Sequence, residues 1–320
     1  MGDKIQVVLV DDCSTEPFDE VIKPYEETLH IKKVKTEKNL GTGMARQFGI
    51  DNADGDWIIF CDHDDFFVPN TFNRVRTIIR NNPSRNIIQT RFQEVAQSGE
   101  VIPYSLEKGM NWVHGKFFRR SFLKDHDLTF CNGLETHEDI YFSILTRLMT
   151  EHLGAPTLNC DLIIYNWVNR PESLSHRRET GLDLFCNHFQ DYVTSALGPL
   201  DKLHNELSLE EILSQGLSSF LFIYFYVQGF YQLERGDAKE YRKIMLDCVK
   251  KIMTYTGLNS QQLESILGQN PATFCMIRER AFDSVGYFFE VDNVAEIIES
   301  AEAELIESKE KELKDEQSES

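Results

Sequence analysis

Three carboxylates follow a fully apolar stretch in the first half of the sequence. Trp57–Cys61 reads WIIFC, and Asp62, Asp64 and Asp65 come directly after it. Like charges this close raise one another's pKa and cost stability unless a positive group neutralises them. Hard divalent cations prefer oxygen ligands, and Mg²⁺ commonly takes one or two carboxylates together with substrate phosphates. The pattern therefore predicts a metal–diphosphate site, with a solvated acidic turn as the alternative.

A second pair of carboxylates, Asp11 and Asp12, follows the apolar segment Ile5–Val10 and precedes Ser14. In open α/β sheets, ligands bind beyond the carboxyl ends of the strands. A carboxylate in that place can accept hydrogen bonds from a nucleobase imide or a ribose. Asp and Ser also favour turns and helix caps, so a purely structural turn is the alternative.

The segment Asn39–Arg46 reads NLGTGMAR and stands between a predicted strand and a predicted helix. Backbone amides at the start of such a helix can face a phosphate. The segment also resembles a dinucleotide-binding fingerprint, with Asp62 at the end of the next strand. However, Arg46 occupies the third glycine position, where that fingerprint needs a small residue. A NAD-type oxidoreductase and a plain glycine-bearing loop both stay open as alternatives.

Glu138 and Asp139 open a segment whose apolar residues, from Ile140 to Leu148, recur at helical spacing. The helix dipole stabilises acids at this position, which is the structural alternative. The functional interpretation is a general base aimed into a cleft.

A fifth cluster lies between Ser173 and Arg178, shortly after the apolar segment Leu162–Tyr165. It gathers hydroxyls, the imidazole of His176 and the guanidinium of Arg177, the groups that a diphosphate clamp needs.

The elements that must position these residues alternate along the first 165 residues. Apolar, β-branched segments predict the strands Ile5–Val10, Ile31–Thr36, Trp57–Cys61, Ile87–Arg91 and Leu162–Tyr165. Helical periodicity predicts the helices Gly43–Asn52 and Asn70–Arg80. Such alternation implies a sheet layered with helices. After about residue 180, helical periodicity dominates, over Gly181–Ser195, Leu209–Arg235, Ala238–Tyr255, Ser260–Leu267 and Thr273–Phe289.

Composition narrows the class of protein. The 320 residues carry 33 Lys+Arg against 52 Asp+Glu, a net charge of −19, which argues against binding to a nucleic-acid backbone. The seven cysteines include no CxxC pair, which favours a reducing compartment. The uncharged stretch Ile212–Leu233 contains several polar side chains, so we interpret it as a buried aromatic helix rather than a membrane span. We expect a cytoplasmic protein, with peripheral association to the inner face of a membrane as a second option.

Taken in order, the segments resemble the family 2 glycosyltransferases of the GT-A fold. The matching segments are VDDCST, NLGTGMARQFGIDNADGDWIIFCDHDDFF, WVHGKFFRRSFL, HEDIYF and WVNRPESLSH. The resemblance implies an α/β, GT-A-like (Rossmann-like) mixed sheet flanked by helices, followed by an α-helical C-terminal region. We expect a catalytic domain over residues 1–180, a helical domain over 181–300, and an acidic tail over 301–320 that is disordered or a frayed helix. The family's usual first strand, of the IIPxYN kind, is not found ahead of VDD, so the match is expected to start at the second strand.

The resemblance also implies roles for single residues. The implied donor-binding residues are Asp11, Asp12, Ser14, Arg46, Asp62 and Arg177. The implied ligands of Mn²⁺ or Mg²⁺ are Asp64, Asp62 and His176. Asp139 is the implied catalytic base, with Glu138 as a supporting group.

The predicted function is inverting transfer of a sugar from a nucleotide-diphosphate donor, a UDP-sugar above all. The acceptor is a saccharide or another hydroxyl compound, and the helical region offers a surface for homo-oligomers. Besides the NAD-type oxidoreductase, the alternatives are a nucleotidyltransferase and a non-catalytic member of the same family.

Overall fold

The structure is a computed structural model that describes residues 5–15, 18–170, 189–234, 238–269 and 294–319. The chain divides into two compact units, Met1–Pro199 and Leu200–Ser320. The first unit contains strands and helices in alternation, and the described part of the second is helical. This agrees with the change near residue 180 from alternating strands and helices to helical periodicity. The predicted domain bounds, 1–180, 181–300 and 301–320, stay predictions.

Two parallel strands open the first unit. Strand β1 (Gln6–Asp11) pairs with β2 (His30–Lys35) from Gln6 opposite His30 to Asp11 opposite Lys35. The short helix α1 (Asp19–Ile22) and a 3₁₀ turn (Lys23–Tyr25) connect them. Helix α2 (Thr42–Asn52) follows β2. Among the described residues these two strands form a sheet of their own.

A six-stranded sheet forms the centre of the first unit, with the order β3-β7-β5-β8-β4 and β6 paired to β5. Its strands are β3 (Trp57–Ile58), β4 (Phe66–Phe67), β5 (Ile87–Val95), β6 (Val101–Pro103), β7 (Lys116–Arg119) and β8 (Leu158–Val168). Strands β5 and β8 run parallel and the other pairs run antiparallel, so the sheet is mixed, as predicted.

Strand β3 is shorter than expected. The apolar stretch Trp57–Cys61 predicts five strand residues, but only Trp57 and Ile58 pair with a neighbour, β7. Within the described part of the chain β3 has a ladder on one edge only, so the backbone of the last three residues is not held in a ladder. Phe60 is nevertheless 8% exposed, because it packs on Phe118 and Phe142 rather than on a neighbouring strand.

Helices cover the sheet. They are α3 (Phe72–Asn81), α4 (Arg120–Asp125), α5 (Glu138–His152) and α6 (Phe189–Leu203). One core cluster buries Val75 of α3 against Ile88, Phe92 and Ile164 of the sheet. Apolar side chains of α3 and of the sheet thus pack into one core.

The second unit consists of α7 (Leu209–Glu234), α8 (Ala238–Thr256), α9 (Ser260–Gln269) and α10 (Val294–Glu319) among its described residues. The first part of α7 is a buried aromatic helix as predicted, with Phe220, Ile223 and Tyr224 at most 1% exposed. No helix in the described ranges combines the length and the hydropathy that a bilayer crossing requires. The predicted acidic tail, 301–320, lies mostly in α10, and the predicted helix Thr273–Phe289 falls outside the described residues.

Candidate active site

One arginine joins three elements that are far apart in sequence. Arg46 of α2 donates from Nη2 to both oxygens of Asp62, at 2.8 and 3.1 Å, just after β3. Its Nη1 donates to Oε1 of Glu138, the first residue of α5, at 2.7 Å. The arginine side chain is 11% exposed and that of Glu138 13%. The structure therefore brings together three residues that the sequence placed in separate motifs.

A glycine lets the two helices that carry this network approach each other. A Cβ built on Gly43 of α2 would lie 3.0 Å from Cβ of Glu138, tighter than ordinary side-chain packing. The missing side chain therefore sets the distance over which Arg46 reaches Glu138.

Asp139 follows Glu138 and is largely enclosed. Its Oδ1 accepts the backbone N–H of Ile140 at 2.8 Å. Burial raises the pKa of Asp139 to about 6, and the neighbouring charge of Glu138 adds to the rise, against the lowering effect of Arg46. A carboxylate with a pKa near 6 is charged at neutral pH and basic enough to take a proton in a general-base step.

The turn before α5 is anchored from α6. His137 has a φ of 61°, a left-handed conformation that is uncommon outside glycine. Its carbonyl accepts the hydroxyl of Ser195 at 2.8 Å, and its ring meets Tyr192 edge-on. Asp191 accepts the backbone N–H groups of Glu135 and Thr136, both at 3.0 Å. These contacts fix the direction in which α5 presents Asp139.

The three carboxylates after β3 have different partners. Asp62 faces Arg46, whereas Asp64 lies 3.9 Å from Nε of Arg170. Asp65 accepts the hydroxyl of Tyr165 at 2.5 Å and the N–H of Val168 at 2.7 Å. The end of β8 therefore holds Asp65, while the predicted ligand Asp64 faces a cationic side chain.

Their surroundings separate the pKa values of these carboxylates. Burial alone would raise the pKa of Asp62, but the charge of Arg46 and the hydrogen bond with His114 bring it well below its ordinary range. Burial raises the pKa of Asp65, although the hydrogen bonds from Tyr165 and Val168 oppose the rise. Asp62 is therefore firmly ionised.

Sequence analysis missed His114. Its Nε2 lies 3.5 Å from Oδ2 of Asp62, and its ring stacks on Tyr165 with centroids 4.9 Å apart. One ligand atom each from Asp62, Asp65 and His114 fall within 4.8 Å of one another, close enough to share a metal ion. In the sequence, His114 stands out only by its place in WVHGKFF, just before a buried strand. A single histidine in that place does not indicate which residue it contacts in the fold.

The pair after β1 has a different role in the structure. Asp12 accepts the N–H groups of Leu40 and Gly41 at 2.9 to 3.0 Å and the hydroxyl of Thr36 at 2.9 Å. Asp11 accepts the N–H of Ser14 at 2.7 Å and pairs with Lys35 at 2.8 Å. Both carboxylates thus fasten the loop ahead of α2, whose residue Arg46 belongs to the network.

A buried lysine connects β7 to the helix that carries Asp139. Lys116 of β7 is 3% exposed, and its ammonium donates to the carbonyl of Met110 and, at 3.2 Å, to Ser143 of α5. Burial lowers its pKa to about 7, while the negative charge of Asp139 opposes the decrease. Ser143 lies one turn after Asp139, so β7 is tied to the helix that carries the candidate base.

Two predicted site residues, His176 and Arg177, lie outside the described residues. Of the others, Asp64 lies 3.9 Å from Nε of Arg170, and the remaining seven fall into two groups. Arg46, Asp62, Glu138 and Asp139 lie together, and Asp11, Asp12 and Ser14 lie together after β1.

Comparison with known proteins bears on the family and the fold. Residues 1–135 match the family model described as Glycosyl transferase family 2. The poly(ribitol-phosphate) beta-N-acetylglucosaminyltransferase TarS of Staphylococcus aureus (strain Mu50) is 27% identical over 164 residues, 47% of this chain and 28% of that protein. The uncharacterized glycosyltransferase YibD of Escherichia coli K12 is 24% identical over 197 residues, 54% of this chain and 56% of that protein. The chain thus spans just over a quarter of TarS and somewhat more than half of YibD.

Solved structures match over most of the chain. The crystal structure of S. aureus TarS 1–349 in complex with UDP-GlcNAc covers 88% of this chain and 80% of its own, with a TM-score of 0.60 and 17% identity. The same fragment in complex with UDP gives a TM-score of 0.55. At this identity the likeness concerns the fold, and it confirms the predicted GT-A-like sheet with a helical C-terminal region.

Proposed function

The N-terminal region of this chain, residues 1–135, belongs to glycosyl transferase family 2, and on that premise we propose that the chain transfers a sugar from a nucleoside-diphosphate donor to an acceptor hydroxyl. We propose a UDP-sugar as the donor, since the similar TarS fragment was solved with UDP-GlcNAc. The proposed stereochemistry is inverting, with Asp139 as the single base.

The observation that carries this proposal is the bridge made by Arg46. It joins Asp62, at the acidic end of β3, to Glu138, at the start of α5, with contacts of 2.8 and 2.7 Å. The bridge supports the proposal because it links Asp62, the proposed contact of the leaving group, to the start of the helix that carries Asp139, a carboxylate of raised pKa. Sugar transfer from a nucleotide needs both of these.

In the proposed reaction, Asp139 removes the proton of the acceptor hydroxyl. The hydroxyl oxygen forms a bond to the anomeric carbon from one face while the bond from that carbon to the diphosphate oxygen breaks on the other. The electron pair of the broken bond leaves with the nucleoside diphosphate. Glu138, held by Arg46, keeps the start of α5 in place and raises the pKa of Asp139.

The residues present fit a divalent cation. Asp62, Asp65 and His114 offer two carboxylate oxygens and an imidazole nitrogen within 4.8 Å of one another, a donor set that suits Mn²⁺ and Mg²⁺. The sequence-based set of Asp62, Asp64 and His176 shares Asp62 with it. A bound cation neutralises charge on the departing diphosphate. The proposed donor contacts remain Asp11, Asp12, Ser14, Arg46, Asp62 and Arg177.

The test of the base is Asp139→Asn, with release of UDP from UDP-GlcNAc and from a panel of other UDP-sugars as the readout. We expect a loss of about 10²–10⁴-fold, the usual worth of a general base, with UDP affinity kept. Asp125→Asn, the same change at an exposed site at the end of α4, serves as the matched control. Wild-type turnover by the Asp139 variant contradicts the assignment. Release of pyrophosphate instead of UDP identifies a nucleotidyltransferase, and binding without turnover a non-catalytic protein.

A second experiment separates the two ligand sets for the cation. UDP binding is measured by calorimetry with Mn²⁺ and with EDTA, for Asp64→Asn and for His114→Gln. Loss of the Mn²⁺-dependent part in the Asp64 variant alone supports the sequence-based set. Its loss in the His114 variant alone supports the set that the geometry brings together. Equal affinity with Mn²⁺ and EDTA in the wild type contradicts any metal role in donor binding.

A further inference from the structure

We propose that an aromatic surface beside the candidate site binds the acceptor, and that the acceptor is a neutral saccharide ring. The surface consists of Tyr104, Trp112 and Trp167, and we call it the aromatic wall. This inference rests on the proposed function, because it names the acceptor class for the same site.

The rings of the aromatic wall lie in contact. The centroids of Trp112 and Trp167 are 5.7 Å apart at an interplanar angle of 70°, and those of Tyr104 and Trp112 are 5.6 Å apart. Phe92, 1% exposed, supports them from beneath, stacked on Tyr104 at 4.8 Å and 5.2 Å from Trp112. The three wall residues are themselves only half-buried. The wall is therefore a firmly supported aromatic surface with part of its area open to solvent.

The wall continues directly into the candidate active site. The ring of Trp112 lies 5.9 Å from that of His114, whose Nε2 is 3.5 Å from Asp62. The residue after Trp167, Val168, donates its N–H to Asp65. A molecule lying on the wall would therefore have one end at the carboxylates after β3.

The wall also borders the helix of the proposed base. Trp112 directly follows the 3₁₀ helix Lys108–Asn111, whose Met110 carbonyl accepts a hydrogen bond from Lys116. The same ammonium reaches Ser143, one turn after Asp139 in α5. Trp112 is thus linked through Met110 and Lys116 to the helix that carries Asp139.

Both polar and charged groups surround the wall, and the nearby cations have carboxylate partners. Glu94 accepts the hydroxyl of Tyr104 at 2.9 Å and the amide of Asn169 at 2.6 Å. Gln93 donates to Asn166 at 2.7 Å. Arg91 donates to Asp161 at 2.7 Å and to the carbonyl of Tyr104. Arg170, three residues after Trp167, lies 3.9 Å from Asp64.

This combination suits a neutral sugar better than a phosphate-bearing acceptor. A sugar ring has an apolar C–H face that packs on an aromatic ring, and hydroxyls at its edge that bond to carboxylates and amides. An aromatic side chain with a polar group nearby provides both. A phosphate group would meet the charge of Glu94, while Arg91 and Arg170 each already have a carboxylate partner, which disfavours it.

The test measures direct binding of a panel of neutral disaccharides (maltose, cellobiose, lactose and N,N′-diacetylchitobiose) by ligand-observed NMR with UDP and Mn²⁺ present. Ribitol 5-phosphate and glycerol 1-phosphate form the anionic arm. We expect at least one disaccharide to bind and the phosphates not to bind. Trp167→Leu should weaken that binding about tenfold or more, whereas Trp167→Phe, which keeps a ring, should keep most of it.

Trp57→Phe is the matched control, because Trp57 lies on β3 beneath the guanidinium of Arg119, at 4.7 Å, outside the wall. Equal binding by Trp167→Leu and wild type overturns the inference, and so does binding of the phosphates without any disaccharide. If no disaccharide binds while UDP binds and UDP-GlcNAc turns over, the inference fails and the proposed function stands. If disaccharides bind but no UDP-sugar binds or turns over, the proposed function fails and the wall remains as a saccharide site.

Discussion

Two acidic strand ends of this protein look alike in sequence and differ in what their carboxylates bind. After β1, Asp12 accepts backbone N–H groups of a loop nearby in the fold. After β3, Asp62 is held by the side chains of Arg46 and His114, and Asp65 by that of Tyr165. Asp12 thus shapes a loop mainly through backbone amides, whereas Asp62 and Asp65 are joined to side chains from distant elements and so help to assemble a site.

The same contrast appears in the energetics. The ion pair of Asp11 lies at the surface, with the Lys35 side chain 60% exposed, and such pairs contribute little. The Arg46 pairs are screened from water, with the arginine side chain 11% exposed, so removing one member leaves charges without compensation. The predictions below test this difference.

The largest expected effect on stability is that of Arg46→Met. The change leaves Asp62 and Glu138 without their shared cation, and breaking buried pairs of this kind costs about 3–5 kcal/mol. The measurement is the free energy of unfolding in urea at neutral pH. Arg74→Met, at an exposed arginine of α3, is the control and should stay within about 0.5 kcal/mol of wild type. A loss below about 1 kcal/mol for the Arg46 variant would show that the two strand ends are energetically alike.

A smaller effect is expected at the other strand end. Asp12→Ala removes the acceptor of the Leu40 and Gly41 N–H groups and should cost about 1–3 kcal/mol. Hydrogen exchange should accelerate at these two amides, while Asp12→Asn, which keeps one acceptor oxygen, should retain most of the protection. Unchanged exchange in the alanine variant would mean that the loop does not depend on Asp12.

Asp139 provides a pH-dependent test. Its folded-state pKa, about 6, is above the ordinary 3.8, so between these values the folded state holds a proton that the unfolded chain releases. The contribution of Asp139 to the free energy of unfolding therefore falls as pH rises from about 4 to about 6. Asp139→Asn should raise Tm at pH 7.5 by about 2 °C or more, with the gain vanishing near pH 4. Asp125→Asn should show no such trend, and an equal gain at both pH values contradicts the raised pKa.

The smallest effect is expected for Lys35→Met. The hydrogen bond from Lys35, and then that from the Ser14 N–H, lower the pKa of Asp11 to about 2. The stability that this pair contributes is complete above about pH 4 and is lost as pH falls through about 2. In the variant, NMR titration of the Asp11 carboxyl should give a higher pKa, with Tm at pH 7 nearly unchanged. A pKa that stays near 2 would assign the whole shift to Ser14.

Much of the fold follows from the sequence because its signals are local. Apolar, β-branched runs predicted the strands Ile5–Val10 and Ile87–Arg91, which the structure has as Gln6–Asp11 and Ile87–Val95, and helical spacing predicted α3 and α5. Strand β3 came out shorter than its apolar run, since strand length depends on a pairing partner that composition does not reveal.

The site was predictable in part. Placement of acids at the end of a strand and at the start of a helix follows from the pattern, and both features are present around Asp62 and Glu138. The bridge between these acids is made by Arg46, which is 92 positions from Glu138, and no local sequence pattern predicts such a contact. His114 was missed for the same reason. The roles of Asp11, Asp12, Ser14, Asp64 and Asp139 stay predictions, as do those of His176 and Arg177.

Residue 43 offers a graded way to adjust the catalytic geometry without touching any charged group. Each atom added there presses on the methylene carbons of Glu138, starting from a separation of 3.0 Å for the first carbon. Alanine and then serine at this position would push α2 and α5 apart in small steps and lengthen the reach required of Arg46. Turnover plotted against the size of residue 43 would then measure how finely sugar transfer depends on the spacing of two helices.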